Sequence, residues 1–108
     1  MSKINGAVIG DSKGRQLRLR EIDFLEESRI IRCLGARDAG NATYVQTYVI
    51  PAVTVAAIDG EACELPASFG EIEHAIKRLG KEGLIAIAEF LSTVVDESEG
   101  EADQIKNS

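Results

Sequence analysis

The hydrophobic period of this chain changes once, abruptly, and that change limits the available folds more than any other feature. In Gln16-Leu17-Arg18-Leu19-Arg20 apolar and polar residues alternate strictly, as in a strand with one buried face. From Ile22 onward the apolar residues recur every three or four positions, the repeat of an amphipathic helix. A chain that begins on one period and continues on the other rests a small β element on helices, so the sequence predicts an α+β fold, mainly α. With 108 residues it forms one domain, and its scarcity of aromatics (5%, no Trp) calls for an aliphatic core.

The β element is a hairpin over 7–20. Asp11-Ser12-Lys13-Gly14 supplies the turn, with glycine where the chain needs positive φ, and Leu17 and Leu19 face inward. Four helices are predicted after it. The first covers 22–34, carries Ile22, Leu25, Ile30, Cys33 and Leu34 inward, and ends at Gly35, followed by a loop over 35–40. The stretch 41–58 is rich in Val, Thr and Tyr, yet Tyr44, Tyr48, Ala52 and Val55 fall on a helical period behind an N-capping Asn41. It reads as a helix over 41–57 bent at Pro51, which has no N–H and crowds the carbonyl of Thr47. Two strands broken at Pro51 are the alternative.

Asp59-Gly60 makes a turn, and 61–65 is extended up to Pro66. Ser68-Phe69-Gly70-Glu71 has capping-box spacing and opens a helix over 69–79, with Ile72, Ala75, Ile76 and Leu79 inward and Gly80 at its end. The last helix, 84–95, has a wide apolar stripe of Leu84, Ile87, Ala88, Phe90, Leu91, Val94 and Val95, wide enough for contacts on two sides. The segment 96–108 is too charged to pack and reads as a disordered acidic tail.

Charge narrows the function. Of the net −6, the tail holds −4, five acids against Lys106, which leaves −2 for residues 1–95. Arg15, Arg18 and Arg20 form a basic patch too small for a phosphate footprint, so nucleic acid is not an expected partner. No apolar run reaches the ~20 residues of a membrane helix, and the N-terminus lacks a secretory signal, so no membrane partner is expected. Cys33 and Cys63, thirty positions apart, are read as free thiols of a reducing cytoplasm.

Chemistry-bearing patterns are missing. His74 is the sole histidine and falls at a polar helix position, no glycine motif matches a phosphate loop, and Asp11-Ser12-Lys13-Gly14 has too few acids for calcium. No catalytic residue, cofactor or metal is expected, and the chain reads as a non-enzyme. Tyr44 and Tyr48, at i and i+4, read either as half-buried core or as an anchor pair for a partner. The candidate partner-binding residues are these two together with Ile87, Phe90, Leu91 and Val94, and the wide stripe also suits self-association into a homo-oligomer.

The order of motifs resembles one family. It runs Gly14-Arg-Gln-Leu-Arg-Leu-Arg-Glu, then Asp23-Phe-Leu-Glu-Glu-Ser-Arg-Ile-Ile-Arg-Cys-Leu-Gly-Ala, Asn41-Ala-Thr-Tyr, Val55-Ala-Ala-Ile-Asp-Gly-Glu and Ile76-Lys-Arg-Leu-Gly-Lys-Glu-Gly-Leu. Over residues 8–91 the chain resembles the tail assembly chaperones of long-tailed bacteriophages. The resemblance implies an assembly factor of the host cytoplasm that coats and solubilises the tape-measure protein and recruits the tail-tube protein. It also implies absence from the mature virion. Two other readings stand beside it: a small acidic inhibitor or regulator that mimics nucleic-acid charge, and a structural component of the tail.

Overall fold

The computed structural model describes the backbone of residues 4–107 and the side chains of residues 4–94. The chain is α+β and mainly helical, with its strands gathered into one four-stranded antiparallel sheet. Strands β1 (Val8–Gly10) and β2 (Gln16–Leu19) form the expected hairpin. Its turn closes through Gly14 N–H on the Asp11 carbonyl at 3.0 Å, and Gly14 has φ +80°. The hairpin is not the whole β element. Strand β3 (Val55–Ile58) pairs with β2, and β4 (Glu61–Ala62) pairs with β3, so the sheet order is β1-β2-β3-β4.

This corrects the helix predicted over 41–57. Helix is present from α2 (Ala42–Tyr44) through a π-helical turn (Val45–Val49) to α3 (Ile50–Thr54), and the chain turns extended at Val55, φ −78° and ψ 118°. Four residues of Val-Ala-Ala-Ile satisfy either period, and the open edge of β2 decides in favour of strand. The register between β2 and β3 shifts between Arg18 and Leu19, so Leu17 faces Ile58 and Leu19 faces Val55, all four on the core side. The bend expected at Pro51 takes the form of the wide π turn ahead of it. Ile50 N–H reaches back five residues to the Val45 carbonyl, and Pro51 sits at the start of α3, where its missing N–H is tolerated.

Helix α1 (Phe24–Ala39) starts two residues later than the periodicity predicts, because Asp23 and Glu26 form a full capping box. Ile30 and Leu34 define its buried stripe. Leu25, predicted inside, lies five residues before Ile30 and so on the opposite face, 57% exposed. Gly35 breaks the helix as expected (φ 81°, ψ 166°), but the predicted loop after it is a further helical turn capped by Gly40.

Helix α4 (Phe69–Asn107) contains the two predicted C-terminal helices, divided at Gly80 with φ 72° and ψ 176°. Ser68 Oγ accepts from the Glu71 amide at 3.2 Å, while the Glu71 carboxylate reaches the Ala67 amide at 3.0 Å. Val95 and the predicted tail over 96–108 lie outside the residues whose side chains are described. Two apolar clusters share the interior. One sets Leu17, Leu19, Val55 and Cys63 of the sheet side against Ala75, Leu79 and Ile87 of α4. The other joins Ile30 and Leu34 of α1 to Val45, Val49, Val53 and Ile72. Among the described residues no helix is long and apolar enough to cross a membrane.

Candidate functional site

A helix whose apolar stripe is wider than one contact must bury part of it elsewhere, and α4 divides its stripe in two. Ile87 is fully buried, and Phe90 and Leu91 pack beside it against the sheet-side cluster. Ile85 and Ala88 turn outward and, with the half-buried Leu84 and with Thr47 and Tyr48, line an open apolar groove of about 550 Å³. Ile76 and Gly80 form its floor on the first half of α4, and Lys81 stands at one end. Tyr48 is 43% exposed and Ile85 48% exposed, large apolar surface held open to water at the two walls.

Tyr48 belongs to the π turn. Within that turn Val45 and Val49 are buried in the core, while Thr47 and Tyr48 are exposed and line the groove beside α4. Tyr44 is half-buried, with its ring 6.0 Å from that of Tyr48 and tilted by 32°. Burial, together with the nearby carboxylates of Asp38 and Glu73, pushes the Tyr44 phenol above its ordinary value of 10.0. It is therefore a neutral, partly buried support, with Tyr48 as the exposed member of the pair.

The sequence-predicted binding residues thus separate. Tyr48, with Tyr44 behind it, is at the groove, whereas Ile87, Phe90 and Leu91 are on the core side of the same helix. Val94 is half-buried beyond them. Ile85 is the residue that sequence reasoning missed: it falls outside the wide stripe, and only the packing of the π turn beside α4 makes it a wall.

The arginine patch is dismantled by the fold. Arg15 donates to the carbonyls of Arg78, at 3.0 Å, and Leu79, and so caps the first half of α4. Arg20 donates to the carbonyls of Val53 at 3.0 Å and Cys63 at 2.7 Å, tying the end of α3 to the residue after β4. Desolvation lowers its pKa, the mark of a cation partly withdrawn from water. Arg18 remains outside. Neither cysteine is in a disulfide; Cys63 is buried and Cys33 half-buried.

His74 is exposed and shares a shallow cleft with Glu64, Glu71 and Arg78. Among the described residues no three His, Cys, Asp or Glu side chains gather as metal ligands would. A second groove, of about 510 Å³, runs between α1 and the segment before α4, lined by Arg29, Ile30, Cys33, Leu65 and Pro66 among others. Compared with models of known families, with curated proteins and with solved structures, the chain matches none.

Proposed function

We propose that this chain is a non-catalytic binding protein that seats one face of an amphipathic helix in the groove between the π turn and α4. The observation that carries the proposal is the exposure of Tyr48 and Ile85 across an apolar floor. From Lys81 to Ala88 the groove runs along roughly 10 Å of helix, enough for about two turns of a ligand helix. Such a ligand presents apolar anchors at i, i+3 or i+4, and i+7, and specificity comes from how those anchors match the walls. Tyrosine is suited to this work, being rigid, large and amphipathic.

Together with the resemblance over 8–91, this supports a more particular reading: a phage tail assembly chaperone acting in the host cytoplasm. Its helical ligand is the tape-measure protein, which it keeps soluble while tail-tube subunits gather, and it is absent from the finished particle. A long helical protein offers the same apolar pattern many times over, so many copies could bind along it through a groove only two turns long.

Co-expression tests the reading. The tape-measure protein is expected in the soluble fraction with the wild-type chain and in the pellet with Tyr48→Asp or Ile85→Asp, both variants keeping the wild-type melting temperature. Equal solubility with all three would refute it. Recovery of the chain from purified particles would instead support a structural tail component.

A further inference from the structure

The groove spans a break. Its floor takes Ile76 and Gly80 from the first half of α4, and its wall takes Leu84, Ile85 and Ala88 from the second. Its opening therefore depends on the angle between the halves, and hence on what holds Gly80 at φ 72° and ψ 176°, a conformation open essentially to glycine alone. The glycine itself permits the break, as Gly35 does in α1, but the angle between the two halves also depends on what is packed against both of them.

The hairpin turn supplies the constraint. Asp11 Oδ1 accepts from the amides of Lys13 and Arg15, each at 3.0 Å, and Asp11 Oδ2 accepts from Arg15 Nε at 2.7 Å. With its Nε held, the guanidinium projects its other two nitrogens onto the carbonyls of Arg78 and Leu79, the last groups of the first half. Those carbonyls are the negative end of a helix, where a fixed cation is favoured. The same guanidinium lies against the second half. Gly83 is buried, and a Cβ there would be 3.4 Å from Arg15 Nη2 and 2.7 Å from Leu79 Cγ. Lys13 adds an ion pair at 3.8 Å to Glu82, beyond the break. One turn thus grips both sides of Gly80.

We infer that the Asp11–Arg15 turn is a latch that sets the opening of the groove, with Arg15 its positioning residue. This rests on the groove being the binding site, but the latch itself can be tested without a ligand. The latch contacts Arg78, Leu79, Glu82 and Gly83 of α4, none of which lines the groove, so it acts on Tyr48 and Ile85 through the bend. Loosening it lets Gly80 approach helical geometry and swings the wall of Leu84, Ile85 and Ala88 relative to the π turn.

The experiment is nuclear magnetic resonance on the intact chain labelled with 3-fluorotyrosine, whose two lines are assigned by Tyr44→Phe. Backbone carbon shifts at 79–81 report the break, and the Tyr48 fluorine line reports the groove. Arg15→Ala is expected to move both while retaining a cooperative melt, with Arg18→Ala unchanged as the exposed neighbour. Arg15→Lys, which keeps the charge but not the fork, is expected to move both in the same direction by less, and it carries the test if Arg15→Ala does not fold. A folded Arg15 variant with wild-type shifts at 79–81 and an unmoved Tyr48 line would overturn the latch. The probe for binding is a synthetic amphipathic peptide with leucines at i, i+4 and i+7. Its affinity should fall on the order of tenfold in Arg15→Ala, the equivalent of about 1.4 kcal/mol. Moved resonances with unchanged affinity would support the latch and overturn the groove as the site.

Discussion

Arg18 in β2 and Arg20 just past its end are two positions apart and chemically identical, yet the fold gives them opposite work. Removing Arg20 leaves the carbonyls of Val53 and Cys63 without the donors now at 3.0 and 2.7 Å. A hydrogen bond from a charged donor contributes about 1.5–3 kcal/mol, and partial access of water replaces some of each. Arg20→Ala should therefore cost about 2–4 kcal/mol. For a domain of this size that corresponds to a fall in melting temperature of roughly 10 °C or more. Arg20→Lys has one compact ammonium where two carbonyls need a fork, and should lose about half as much. Arg18→Ala, on the outer face, should stay within about 0.5 kcal/mol of wild type. Guanidinium chloride denaturation followed by circular dichroism measures all three. Equal small losses for Arg18 and Arg20 would refute the assignment of Arg20 as the tie between α3 and β4.

Three further outcomes follow from the same packing. Ile87→Ala should cost about 2–5 kcal/mol in chemical denaturation because the side chain is fully buried, whereas Leu25→Ala, on the exposed face of α1, should change stability by less than about 0.5 kcal/mol. Gly83→Ala should destabilise by about 1–3 kcal/mol, since the new methyl overlaps Leu79, and shortening Leu79 to Val should recover part of the loss in a double-mutant cycle. Asp11 gives a pH signature. Burial opposes ionisation, but hydrogen bonds from Arg15 and Lys13 outweigh it and hold the carboxyl below 3.8. Its contribution is then complete above that pH and is lost as the pH falls through the lower folded value. The stability gap between wild type and Asp11→Asn should accordingly be flat near neutrality and close in acid, and a gap that widens in acid would contradict the bonding of the turn.

What could be read from the sequence was local. The alternation of Leu17 and Leu19, the cap at Asn41, the capping of the last helix by Ser68 and its break at Gly80 all depend on near neighbours, and each is present. The strand at Val55–Ile58 was not legible, because its four residues continue the helical spacing of Tyr48 and Ala52 equally well. The pairing with Leu17 and Leu19, some forty positions away, settles it. Leu25 shares a helical spacing with Ile22, but α1 begins only after the cap at Asp23, and its buried face is set by Ile30 and Leu34, from which Leu25 points away. The candidate site was half legible. Tyr48 stands out as an aromatic in a chain with few, but Ile85 becomes its neighbour across the groove only through tertiary packing. No local pattern announces that Arg15 and Arg20 point at carbonyls, since the acceptors belong to elements more than thirty residues away.

Amide and methyl shift mapping will locate an amphipathic helix bound between the π turn and α4. On titration with a helical fragment of the tape-measure protein, the largest changes are predicted at Thr47, Tyr48, Leu84, Ile85 and Ala88, with Arg18 and Leu25 unmoved. Changes centred on α1 and Leu65–Pro66, or on the outer face of the sheet, would place the ligand elsewhere and refute the groove, as would a fragment that binds with those five residues undisturbed.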